Sequence, residues 1–146
     1  MNRLILTLAL AAALPAAHAS VGAPDLSKVN GSLTAEAGKT YGDIDTVNGS
    51  ITLEDKAVAR NVETVNGSIT LEPFARALDV STVNGRILLR NGAAARSVET
   101  VNGSIVGVSN LRVEKTVEAV NGSIELGAHS LIGGNVETVN GSIKLL

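Results

Sequence analysis

Thr64-Val65-Asn66-Gly67-Ser68-Ile69 is the stretch that decides how this chain folds, because it recurs unchanged at 46–51, 100–105 and 138–143. Two variants stand between the copies, Thr82-Val83-Asn84-Gly85-Arg86-Ile87 and Ala119-Val120-Asn121-Gly122-Ser123-Ile124. A first, shorter match places Asn-Gly at Asn30-Gly31. Counted from asparagine to asparagine (Asn30, Asn48, Asn66, Asn84, Asn102, Asn121, Asn140), the spacings are 18, 18, 18, 18, 19 and 19 residues. A period this short and regular is the mark of a stacked repeat architecture.

The columns around each asparagine define the unit. Three positions on lie Leu33, Ile51, Ile69, Ile87, Ile105, Ile124 and Ile143, and five positions on lie Ala35, Leu53, Leu71, Leu89, Gly107, Leu126 and Leu145. The residue between them is mostly polar, so this segment alternates as a half-buried strand does. Four positions before the asparagine stand Leu26, Ile44, Val62, Val80, Val98, Val117 and Val136, nearly all β-branched and suited to a strand. The next column is polar: Ser27, Asp45, Glu63, Ser81, Glu99, Glu118 and Glu137. Each unit is therefore two short strands meeting at an Asn-Gly corner, followed by a variable and looser return arc such as 55–61 or 91–97.

Asn-Gly between strands is also the leading hairpin signal, so an antiparallel meander or barrel competes with a coil. Column identity favours the coil. A solenoid sets each residue about 4.8 Å above its counterpart and so rewards like on like, whereas hairpins pair different columns. Strands of five or six residues are too short for a membrane barrel, which needs about nine to eleven. The fold expected is all-β, a single-stranded parallel β-solenoid (β-helix) of about seven 18–19-residue coils. Glycine at the corner is expected in a left-handed conformation. The asparagines are expected to stack as an amide ladder, the alternative being a plain turn role.

Residues 1–19 read as a secretory signal peptide. Arg3 gives a positive start, 4–14 is apolar apart from Thr7, and Ala17-His18-Ala19 fits a small-residue cleavage pattern. The competing reading, a membrane anchor, would need about 20 apolar residues. The repeat domain is then 20–146, exported to the periplasm or the extracellular space, with no membrane anchor left after cleavage. The chain has no cysteine, hence no disulfide and no lipid-modified thiol. Its net charge of −2 and its two aromatic residues, Tyr41 and Phe74, argue against a nucleic-acid partner.

The motif copies resemble the bacterial adhesin-like β-strand-repeat proteins of the DUF4097 type, over about residues 26–146. That resemblance implies a parallel β-helix-like domain in an exported protein. It carries over no ligand and no site.

No catalytic, cofactor-binding or metal-ligating residue is assigned, and no cofactor is expected. His129 beside Ser130 reads as surface polarity, since a catalytic triad is a matter of spatial geometry. Glu99, Glu118 and Glu137 would stack on successive coils and repel by roughly 0.8 kcal/mol per pair in water. A cation such as calcium could relieve this. So could pairing with Arg60, Arg96 and Lys115, which lie three residues before Glu63, Glu99 and Glu118. Asn-Gly-Ser is a formal glycosylation sequon, but glycans about 4.8 Å apart would collide. Ser50, Thr52, Ser68 and Thr70 form a short hydroxyl face that later coils do not continue.

The function expected is a non-enzymatic structural or interaction module of the bacterial cell envelope, adhesin-like, with a protein or polysaccharide partner. The alternatives are a polysaccharide-acting β-helix enzyme and an end-to-end polymerising matrix component. The last follows from reading Ile143-Lys144-Leu145-Leu146 as an uncovered strand, which leads to an expectation of weak end-to-end self-association.

Overall fold

The computed structural model describes residues 23–146; the signal-peptide reading at 1–19 lies outside the described residues. The chain winds into a parallel β-solenoid of about seven coils with three sides. The first side is a seven-stranded sheet built from Leu26–Asn30, Asp43–Asn48, Asn61–Asn66, Asp79–Asn84, Ser97–Asn102, Val117–Asn121 and Val136–Asn140. The second stacks Leu33–Ala35, Ile51–Leu53, Ile69–Leu71, Ile87–Leu89, Ile105–Gly107, Ile124–Leu126 and Ile143–Leu145. The register is the repeat itself: Asn66 pairs with Asn84, Asn84 with Asn102, Ile69 with Ile87 and Ile87 with Ile105. The hairpin alternative is thereby excluded, since every strand pairing is parallel.

The return arc is more regular than the sequence suggests. Ala94–Ala95, Arg112–Val113 and Leu131–Ile132 form a third parallel sheet, and single bridges extend it through Thr40, Val58, Arg76 and Ala94. Its inward positions are small: Ala57, Ala59, Ala75, Ala77, Ala93 and Ala95 are all buried. Leu53, Leu71 and Leu89 fill the lumen opposite them. One coil inverts this arrangement, with Gly107 in the leucine column and Leu111 in the alanine column. A Cβ on Gly107 would run into Leu111 and lie 3.2 Å from Leu126. The volume removed at one position is thus restored at the other, as close packing requires. The two 19-residue units carry their extra residue at the corner between the third and first sides, within 114–116 and 133–135, so the register holds on all three sides.

The Asn-Gly corners corrected one expectation. Gly31 alone among them has a left-handed φ, at 128°. Gly49, Gly67, Gly85, Gly103, Gly122 and Gly141 do not, and their role is spatial. A Cβ on Gly85 would lie 2.6 Å from the Gly67 carbonyl carbon and nearer still to its oxygen. That oxygen accepts a hydrogen bond from the Thr82 hydroxyl at 3.2 Å, and Thr46, Thr64, Thr100 and Thr138 repeat the bond in their own coils. Four of these threonines are buried, so a polar column runs inside the core with its hydroxyls satisfied.

Outside the same corner the amide ladder is complete. Each asparagine Nδ2, from Asn48 to Asn140, donates to Oδ1 of the asparagine one coil earlier at 2.9–3.0 Å. The left-handed conformation appears instead at the corner between the second and third sides. Gly38, Lys56, Phe74, Gly92, Asn110 and His129 occupy that column with φ between 53° and 76°. The Ala57, Ala75 and Ala93 amides close tight turns there, with bonds to Glu54, Glu72 and Arg90. Pro73 before Phe74 fits the second position of such a turn.

Candidate functional site

The outward positions of the three sides differ chemically. On the first side the acidic column does stack: Glu99 pairs in register with Glu118, and Glu118 with Glu137. Beside it the outward valines Val47, Val65, Val83, Val101 and Val120 form a half-buried stripe. The expected pairing with the basic residues does not form. Arg60 Nε reaches Asp43 Oδ1 at 2.9 Å, and Arg96 grips Asp79 through Nε and Nη2 at 3.2 and 2.5 Å. Both arginines sit at the corner and meet the aspartate one coil earlier, rather than the glutamate of their own coil. Lys115 makes no ion pair with Glu118 among the described residues.

The glutamate column is left partly desolvated, and among the described residues Glu63, Glu99, Glu118 and Glu137 form no ion pair. Burial, followed by the charges of Glu118 and Asp79, pushes the Glu99 carboxyl up to about 7. Burial and the neighbouring Asp43 push Asp45 up to about 6, and Glu63 is raised for the same kinds of reason. At Asp79 burial acts upward too, but hydrogen bonds from Arg96 and Ser97 outweigh it and hold the carboxyl below its ordinary value. Over Ser81, whose side chain is short, Glu63, Asp79 and Glu99 line an open depression of about 360 Å³. Among the described residues no group of three acids, histidines or cysteines has the geometry to hold a metal ion.

These shifts fix a pH dependence. Glu99 and Asp45 have ordinary values of 4.5 and 3.8 and are raised in the fold. Their contribution to stability is therefore fully present below the unfolded values and is lost as pH rises through about 7 and about 6. Asp79 runs the other way and loses its contribution only as pH falls below its ordinary 3.8. The melting temperature should accordingly drop between about pH 5 and pH 7.5. Glu99→Gln should flatten that slope and raise stability at the upper end by about 1 kcal/mol, after allowance for solvent screening of a half-exposed group. Thermal melts followed by circular dichroism across this range would check it. A flat wild-type profile, or equal slopes in the two proteins, would contradict the assignment.

On the second side, Ser50, Thr52, Ser68 and Thr70 face outward as a hydroxyl patch that gives way to Leu88 and Val106 and then to a Lys144–Glu125 ion pair at 3.6 Å. His129 is exposed in the left-handed corner column. Ser130 Oγ donates to the Gly127 carbonyl at 2.8 Å rather than to the imidazole.

The third side carries what the column reading missed. An open groove of about 820 Å³ runs over it, with Val58, Arg76, Ala94 and Arg112 along its middle. Leu78 and the ion-paired Arg60 and Arg96 form one margin, and Phe74 and Asn110 the other. Phe74 is 52% exposed and Leu78 42%.

Comparison with protein-family models, with curated proteins and with solved structures finds no match in any of the three.

Proposed function

We propose that the chain is an exported, non-enzymatic interaction module of the bacterial cell envelope, which presents the sides of a rigid β-solenoid to a protein or polysaccharide. The observation that carries this reading is chemical segregation among outward positions. Core packing requires only that these residues point away from the lumen, yet acids and valines collect on the first side and arginines on the third. The segment 1–19 supports export, and the likeness to adhesin-like repeat proteins agrees with a surface-presenting role. Immobilised chain should capture a defined component of envelope extract, or a defined class on a glycan array, and soluble chain should compete it off. Failure to retain any ligand at workable concentrations would count the reading out.

A second reading, an enzyme acting on polysaccharide, rests on one observation. Glu99, held near neutrality, and Asp79, held ionised, share one depression, and such separated carboxyls suit acid–base hydrolysis. It is the weaker of the two. The rise at Glu99 comes first from burial and then from neighbouring like charges, as it does at Asp45 and Glu63, and Asp79 is consumed by Arg96 and Ser97. Release of reducing ends from a polysaccharide by the purified chain, lost in Glu99→Gln, would move the function to this reading.

A further inference from the structure

Arg60, Arg76, Arg96 and Arg112 lie on four successive coils, one guanidinium per coil. They alternate between two columns. Arg76 and Arg112 stand in the middle column with Ala94 between them, and Arg60 and Arg96 stand at the corner with Leu78 between them. The short Ala94 side chain opens the space that the two middle arginines flank. The corner pair is neutralised by Asp43 and Asp79. Among the described residues the exposed Arg76 and Arg112 have no ion-pair partner, and Glu114 is the single carboxylate lining the groove. The unpaired guanidiniums are separated by two coil rises, roughly 10 Å, along the solenoid axis.

Phe74 adds an apolar platform at the edge of this track. Its backbone is left-handed at φ 63°, a conformation that costs a residue with a Cβ about 1–2 kcal/mol. The ring does not sink into the core. It lies across Gly92 of the next coil, where an added Cβ would be 2.6 Å from the ring carbons Cδ1 and Cε1. A half-exposed aromatic ring thus sits against Gly92 at the margin of the arginine track. The same left-handed turn recurs at this corner in six coils, so the coil path rather than the ring itself fixes where Phe74 stands.

We propose that this groove binds a linear acidic glycan lying along the solenoid axis, its carboxylates on Arg76 and Arg112 and the apolar face of a sugar against Phe74. The proposal rests on the interaction-module reading and assigns that module its ligand class and its side. Charge complementarity selects an anion, and the fork of a guanidinium suits a carboxylate bidentately. The track selects a polymer, because alternate sugars of an extended uronate chain recur at about the spacing of the two unpaired arginines. A single aromatic platform in the groove disfavours a single-stranded nucleic acid, which asks for successive stacking surfaces.

The test is fluorescence polarisation with a labelled oligogalacturonate of defined length, titrated with the purified chain at physiological ionic strength. Wild type should bind it. The doubly substituted Arg76→Gln/Arg112→Gln chain should bind roughly tenfold or more weakly, as should Phe74→Ala by a smaller factor, with unchanged circular dichroism melts for the exposed arginine pair. The fully methyl-esterified oligomer, which keeps the sugars and loses the charge, should not bind. Absence of binding to the acid form overturns the proposal. So does equal binding by the arginine variant, equal binding of the ester, or tighter binding of a single-stranded DNA of the same charge. If oligogalacturonate fails while envelope extract still yields a specific ligand, this inference falls and the module reading stands. If neither yields a ligand, both fall.

Discussion

Ile87→Asp is expected to abolish the cooperative unfolding transition. Ile87 is fully buried and stacks in register between Ile69 and Ile105, at the middle of the second side. A carboxylate there would be surrounded by isoleucine and leucine side chains with no cation in reach. Burying an unpaired charge costs several kcal/mol at least, even after the group neutralises itself by taking up a proton. Domains of this size have only about 5–15 kcal/mol in total. Because each coil touches only its neighbours, a break at this level also separates the stack into two short blocks, neither of which buries a full core. Circular dichroism melts and limited proteolysis would show early, graded unfolding, whereas Ile87→Val should cost only about 1 kcal/mol. An Ile87→Asp protein that melts within a few degrees of wild type would mean that this column faces outward.

Gly85→Ala should be nearly as damaging, although it adds a single methyl group. The added Cβ meets backbone rather than a movable side chain: the Gly67 carbonyl, which is also bonded to the Thr82 hydroxyl. Relief requires the coils to part, and that strains the 3.0 Å bonds from Gly67 N to Asn84 O and from Gly85 N to Asn102 O. It would also pull on the Asn66–Asn84–Asn102 amide ladder just outside. A cost of about 3 kcal/mol or more is expected, the upper end for overpacking, because nothing near the methyl can rotate away. Gly38→Ala is the matched control. Its φ is +71°, and nothing lies within 4 Å of the new Cβ, so only the left-handed penalty of about 1 kcal/mol applies. Urea denaturation of the two variants would separate the mechanisms. If Gly85→Ala proved no worse than Gly38→Ala, the Asn-Gly corners would need glycine for turn freedom alone.

That contrast marks where sequence reading stopped. Asparagine and glycine in tandem suggested a left-handed corner, because both residues tolerate that conformation. The true left-handed column is elsewhere, and it holds Lys56, Phe74 and His129, residues that advertise no such preference. They stay there because the coils above and below fix the path of the backbone. The ion pairs differ from the sequence expectation for a related reason. Arg60 and Arg96 were matched to glutamates three residues away along the chain, but their partners lie 17 residues earlier, one coil down.

The repeat by itself determined the short strands, the seven units and the apolar columns, and it favoured the parallel coil and the asparagine ladder that the stacked pairings then established. A residue stacked about 4.8 Å from its own counterpart selects for likeness, and likeness at a fixed period is visible in one dimension. The third side and its groove needed the tertiary structure. Alanine gives no alternation signal, and strands of two residues have no length over which to show one. Arg60 and Arg96 stand out as a basic column, but their spacing hides that Arg76 and Arg112 share their surface. Arg60, Arg76, Arg96 and Arg112 are 16, 20 and 16 residues apart, each two away from the repeat of 18. A shift of two keeps a strand residue on the same outward face while moving it to the neighbouring column. Only the stacked coils bring these four side chains onto one surface.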